Sequence, residues 1–114
     1  MRFGANLLLF ADTVTPSVLR RFGRIRELGF DGIEVPVFEP GSVDTDKIRR
    51  HAEKHGLGIT TSGAMPPGSR LYGTDADLRR QAETYLRGAI RVATGLGAEI
   101  LCGPLFKPVG ETGG

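Results

Sequence analysis

Three stretches of the chain repeat one pattern: a helix closes on a glycine and an apolar strand begins within a few residues. They read ELGFDGIEV from Glu27, KHGLGITTS from Lys54 and GLGAEILCG from Gly95. With RFGANLLLF at the start as a first strand, strand and helix alternate four times along the chain. Apolar strands joined by helical crossovers require a parallel sheet covered by helices, because a hairpin cannot return the chain to the same end of a sheet. An open doubly wound sheet and a barrel both meet that requirement. Two features favour the barrel. The first strand is not followed by the G-x-G-x-x-G turn of a dinucleotide-binding sheet, and the strand-to-helix loops are long and varied, as at the C-terminal face of a barrel. The fold class is therefore α/β, built of parallel (β/α) repeats.

The helices carry their own punctuation. In TPSVLRRFGRIRELG, Thr15 is placed to cap, Pro16 takes the first helical position and Gly29 ends the helix, with Val18, Phe22, Ile25 and Leu28 on the inner face. DTDKIRRHAEKHG is a second capped helix, closed by Gly56, and LGITTSG follows as the third strand. After the loop AMPPGSRLYG the longest helix runs from about Asp75 to Leu96, framed by Thr74 and Asp77 in a capping box. Its inner stripe is Leu78, Ala82, Tyr85, Ala89, Val92 and Leu96. GAEILCGPLF is the fourth strand and KPVGETGG a glycine-rich tail.

One carboxylate sits in the middle of the second strand. Along GIEVPVF, alternation places Ile33, Val35 and Val37 on one face and Glu34, Pro36 and Phe38 on the other. The first set suits a helix layer, so Glu34 is expected to face the barrel interior. A charge buried without a partner there would be costly, so a polar partner or a ligand is expected beside it. Both a structural carboxylate and a ligand contact fit.

Composition narrows the function classes. Of 114 residues, 39% are hydrophobic and 25% charged, as in a soluble globular domain. The formal net charge is +2 and the charges alternate in sign, which does not point to nucleic acid. Neither a signal peptide nor an apolar run of roughly 20 residues is present, so no membrane partner and a cytoplasmic location are expected. The single cysteine, Cys102, cannot form an internal disulfide and reads as a buried, inert thiol.

Taken together, MRFGANLLLF, LGFDGIEVPVFEP, HGLGITTSGAMPP and LGAEILCGPLF resemble, in order and spacing, the N-terminal half of the ketose 3-epimerases. These are the tagatose and allulose 3-epimerases of the sugar isomerase/epimerase superfamily, with a xylose-isomerase-like TIM barrel. The resemblance covers essentially the whole chain. It implies that residues 1–114 are the N-terminal half of one TIM-barrel domain of about 250 residues or more, with 107–114 a truncated loop after strand four. It implies metal-dependent epimerisation of a ketose at C3 through a cis-enediolate. One carboxylate removes the C3 proton, a divalent Mn2+, Mg2+ or Co2+ holds the sugar oxygens, and a second carboxylate returns the proton to the other face. The family takes those catalytic residues and metal ligands from later strands, so no catalytic residue, no metal ligand and no activity are expected in this chain alone. The positions that match the family's sugar-lining residues are Asn6, Phe10, Ser62, Gly63, Gly103, Pro104 and Leu105, with Glu34 beside them. Asn6 stands where relatives often carry an aromatic residue, and Phe10 where they often carry Trp.

Other polar groups carry less. His51 and His55 are four apart on one helix, a metal-binding spacing, but no third ligand is near them in sequence. The pairs Arg20-Arg21, Arg49-Arg50 and Arg79-Arg80 read as solvated helix faces. Arg70 in PPGSR is a surface loop residue or a phosphate contact. Three functions fit: a ketose epimerase of which this is half, a phosphosugar isomerase or other enzyme on the same barrel, and a non-catalytic half-barrel that acts by association. A half-barrel would leave strands one and four unpaired and expose Leu8, Phe10 and Phe38, so either a missing C-terminal half or a second copy is expected to cover it.

Overall fold

A computed structural model of the protein describes residues 1–110. Four strands, β1 (Gly4–Asn6), β2 (Gly32–Pro36), β3 (Gly58–Ser62) and β4 (Leu101–Cys102), form one sheet in the order β1-β2-β3-β4, every pair parallel. Helices α1 (Pro16–Leu19), α2 (Phe22–Glu27), α3 (Thr45–Lys54) and α4 (Ala76–Leu96) make the crossovers. Residues 111–114, the end of the tail expected as a truncated loop, lie outside the described residues.

Register divides the sheet into two faces. Ala5, Ile33 and Ile59 align across the strands, as do Val35, Thr61 and Leu101. On this face Ile33, Val35 and, beyond the strand, Val37 are sealed from solvent with Phe22, Ile25, Ile48, Ala52, Ala82 and Ala89 of the helices. Thr61 is fully buried there, and its hydroxyl donates to the Ile100 carbonyl at 2.7 Å, so no polar atom is stranded. The second face carries the alternate residues: Asn6, Glu34 and Thr60 in one row, Pro36, Ser62 and Cys102 in the next.

The helix starts follow their chemistry. Thr15 accepts from the Val18 amide, Asp44 from the Lys47 amide, and Asp75 from the amides of Asp77 and Leu78. The cap of α4 is thus Asp75 and not Thr74, because the carboxylate one residue later already reaches both amides. The single helix expected from Thr15 to Gly29 is two, broken at Arg20 and Arg21, where the Arg21 amide bonds the Val18 carbonyl in a tighter turn. Leu28 is 59% exposed instead of buried. It closes α2, Gly29 turns the chain in the left-handed region, and Phe30 packs on the core in its place.

The first strand is also shorter than RFGANLLLF suggests. The Asn6 side chain accepts from the Leu8 amide at 2.9 Å, an Asx turn that bends the chain into a 3-10 turn over Leu7–Leu9. Leu7 is buried, while Leu8 and Phe10 leave the strand and are exposed.

Candidate functional site

Glu34 has the partner its position requires. The Cys102 thiol donates to Glu34 Oε1 at 3.3 Å across the β3 strand that separates them. That hydrogen bond, then burial, then the carboxylate's charge hold the thiol's pKa above its ordinary value, so Cys102 stays protonated. The expectation of a buried thiol is corrected: Cys102 is exposed. Leu101 takes the helix-facing position in this two-residue strand, and the period of two turns Cys102 to the other face.

Ser62 lies on the same face, in register with Pro36 and Cys102. Its Oγ is buried and is the one such side-chain oxygen or nitrogen without a hydrogen-bond partner among the described residues. Asn6 is in register with Glu34, but its oxygen is committed to the Leu8 amide. Phe10 lies beyond the 3-10 turn, with the Arg21 guanidinium 4.9 Å above its ring. Arg21 is exposed, as expected of a solvated face, and also stacks on this ring.

The glycines of the expected site serve the backbone. Gly63 extends β3 by bonding the Cys102 carbonyl at 2.9 Å, and a Cβ on it would strike the Tyr85 hydroxyl. Gly103, at φ +134°, faces the Gly63 carbonyl so closely that a Cβ could not be added. Pro104 is exposed and its carbonyl accepts from the Met65 amide at 3.0 Å, while Leu105 is half-buried against the core. The structure thus brings Ser62, Gly63 and Gly103 to neighbouring strand ends with Glu34 one row behind them, and leaves Phe10 and Leu105 on separate supports.

Just past the C-terminal end of β2 opens a cleft of about 200 Å³, lined by Asp12, Thr13, Pro36, Phe38, Glu39, Ser42 and Val43. Apart from Pro36 and Phe38, the sequence reading assigned none of these to a face; Asp12 and Thr13 fall in the β1–α1 loop, whose path no periodicity predicts. A wider hollow of about 580 Å³ lies at the other end of the strands, against Gly4, Gly32 and Gly58. Ligands of parallel α/β sheets bind at the C-terminal ends, which favours the smaller cleft and the Glu34 face.

Among the described residues, no three His, Cys, Asp or Glu come together to hold a metal ion. His51 Nδ1 bonds the Lys47 carbonyl at 2.9 Å and its ring meets Phe22 edge-on, while His55 packs against Gly23. These residues do not fit a divalent ion. No helix among them is long and apolar enough to cross a membrane.

Comparison with known proteins follows this geometry. No family model matches the chain. A probable ketose 3-epimerase of Synechocystis sp. is 28% identical over all 114 residues, which cover 40% of that protein. A ketose 3-epimerase of Arthrobacter globiformis is 29% identical over 84 residues, 74% of this chain and 29% of its own length. The D-allulose 3-epimerase of Methylomonas sp., solved in complex with D-allulose, superimposes with a TM-score of 0.89 at 21% identity, over the whole of this chain and 40% of that one. Sheet order, faces and superposition together define a run of (β/α) units of a TIM barrel. Within that class the chain is similar to ketose 3-epimerases. It spans about two fifths of the length of the curated relative that it matches from end to end.

Proposed function

We propose that this chain is the sugar-lining part of a ketose 3-epimerase, an isomerase that inverts a ketose at C3. The observation that carries the reading is the polar row on the face turned from the helices. Glu34 stands there with a thiol as its partner, and the Ser62 hydroxyl is buried with no partner of its own. A buried hydroxyl left unpaired costs about 1–3 kcal/mol, a cost removed when a ligand oxygen meets it. In this reading the face is the barrel interior, Glu34 accepts from a sugar hydroxyl, and Ser62 supplies a further contact. Residues 1–114 form part of one barrel domain. They orient the sugar and shield it from water, while the paired carboxylates and the divalent ion of C3 epimerisation belong, in this reading, to later strands of the barrel.

The test is proton exchange at C3. The complete protein, incubated with D-fructose or D-tagatose in D2O with Mn2+, gives the C3 epimer with deuterium at C3. The 114-residue chain alone gives neither. Absence of exchange in the complete protein, or conversion by the chain alone, overturns the assignment.

A further inference from the structure

Behind the sugar-facing row, one hydroxyl ties the strand ends together. Tyr85, carried in by α4 and buried, donates to the Val37 carbonyl at 2.6 Å and accepts from the Ala64 amide at 3.2 Å. Val37 is the first residue past β2 and Ala64 the second past β3, so one oxygen bridges both strands where they open into loops. Gly63 lies between these contacts: a Cβ there would meet the same hydroxyl and come within 3.4 Å of the Val37 carbonyl. Gly103 in turn seats on the Gly63 carbonyl, which carries the constraint on to the end of β4. A purely structural aromatic in the α4 stripe would need no hydroxyl, and Phe would fill the same volume. Burial raises the Tyr85 pKa, so the phenol keeps the proton that it donates.

We infer that Tyr85 is a positioning residue for the sugar site, its hydroxyl setting the spacing of the ends of β2, β3 and β4 and so the placement of Ser62 relative to Glu34. The inference rests on the ketose reading of that face, which Tyr85 itself does not touch. The hydroxyl also explains why Gly63 is a glycine, as the Gly63 carbonyl explains Gly103, without asking either to contact a sugar.

The test compares Tyr85→Phe, Gly63→Ala and the double variant. Tyr85→Phe keeps the ring, and hydrogen exchange at the Ala64 amide rises at least about ten-fold while the amides of α3 keep their protection. Gly63→Ala lowers the melting temperature sharply by itself and much less in the Tyr85→Phe background, where the obstructing oxygen is gone. In the complete protein, Tyr85→Phe raises KM for a ketose several-fold and leaves kcat within about two-fold; a merely structural loss lowers kcat through the active fraction and leaves KM unchanged. Unchanged exchange at Ala64, an equal Gly63→Ala penalty in both backgrounds, or a fall in kcat alone overturns the inference. If the wild-type protein turns over no ketose, the proposed function fails instead, and the exchange and rescue results decide whether Tyr85 sets the strand ends.

Discussion

Glu34 and Cys102 are 68 residues apart in sequence and share a hydrogen bond. The thiol's reactivity should report it. Cys102 is exposed, yet at pH 8 iodoacetamide should alkylate it more slowly than an ordinary thiol, because Glu34 holds it in the protonated form. Glu34→Gln should speed the reaction several-fold; an unchanged rate would mean that the carboxylate does not hold the proton. The sign for stability follows from the same shift. A folded-state pKa raised above 9.0 contributes stability that is fully present below that value and is lost as pH rises through the folded value, so thermal melts should fall off on the alkaline side. Glu34's face was legible in the sequence, since Ile33, Val35 and Val37 fix the alternation around it. Its partner was not, because the register of β3 and β4 decides which distant side chain lies across from it. Alternation from Leu101 would have turned Cys102 outward, had the strand been read as two residues long.

At the scale of elements, the repeated helix-glycine-strand junctions made the strand order and the parallel pairing readable. Boundaries were less so, and each error has a local cause. Asn6 bends β1 into a turn with its own side chain, the chain tightens at Arg21, and Asp75 supplants Thr74 as the cap of α4. The last point gives a quantitative contrast. Asp75→Ala should cost about 1 kcal/mol in denaturant unfolding, because two amides lose their acceptor, and Thr74→Ala close to nothing. Equal losses at the two positions would restore the capping box expected from sequence. The candidate site was legible only in part for a related reason. Gly63 and Gly103 matched the family's sugar-lining positions, but what requires a glycine at Gly63 is the hydroxyl of Tyr85, 21 residues beyond Ala64, and at Gly103 the Gly63 carbonyl. Helical periodicity marked Tyr85 as core and could say nothing of its oxygen.

The described residues extend 49 × 26 × 24 Å, and their sheet has β1 and β4 each paired on one side only. Such edges, together with exposed Leu9, Ile100 and Phe106, favour association of the 114-residue chain. Sedimentation at micromolar concentration should show dimers or larger species; a well-behaved monomer that unfolds cooperatively would show that the open edges need no cover. How the rest of a barrel would close on this sheet is not written in these residues, since side chains of the open face are shaped by what lies across from them. The central proposal is that the sheet face bearing Glu34 and Ser62 holds a ketose. The most direct measurement is a crystal structure of the complete protein with D-tagatose or D-fructose bound. The account predicts sugar oxygens within hydrogen-bonding distance of Glu34 or Ser62 Oγ, with Tyr85 still bridging Val37 and Ala64 behind them. A sugar seated in the hollow beside Gly4, Gly32 and Gly58, or on the helix layer, would contradict it.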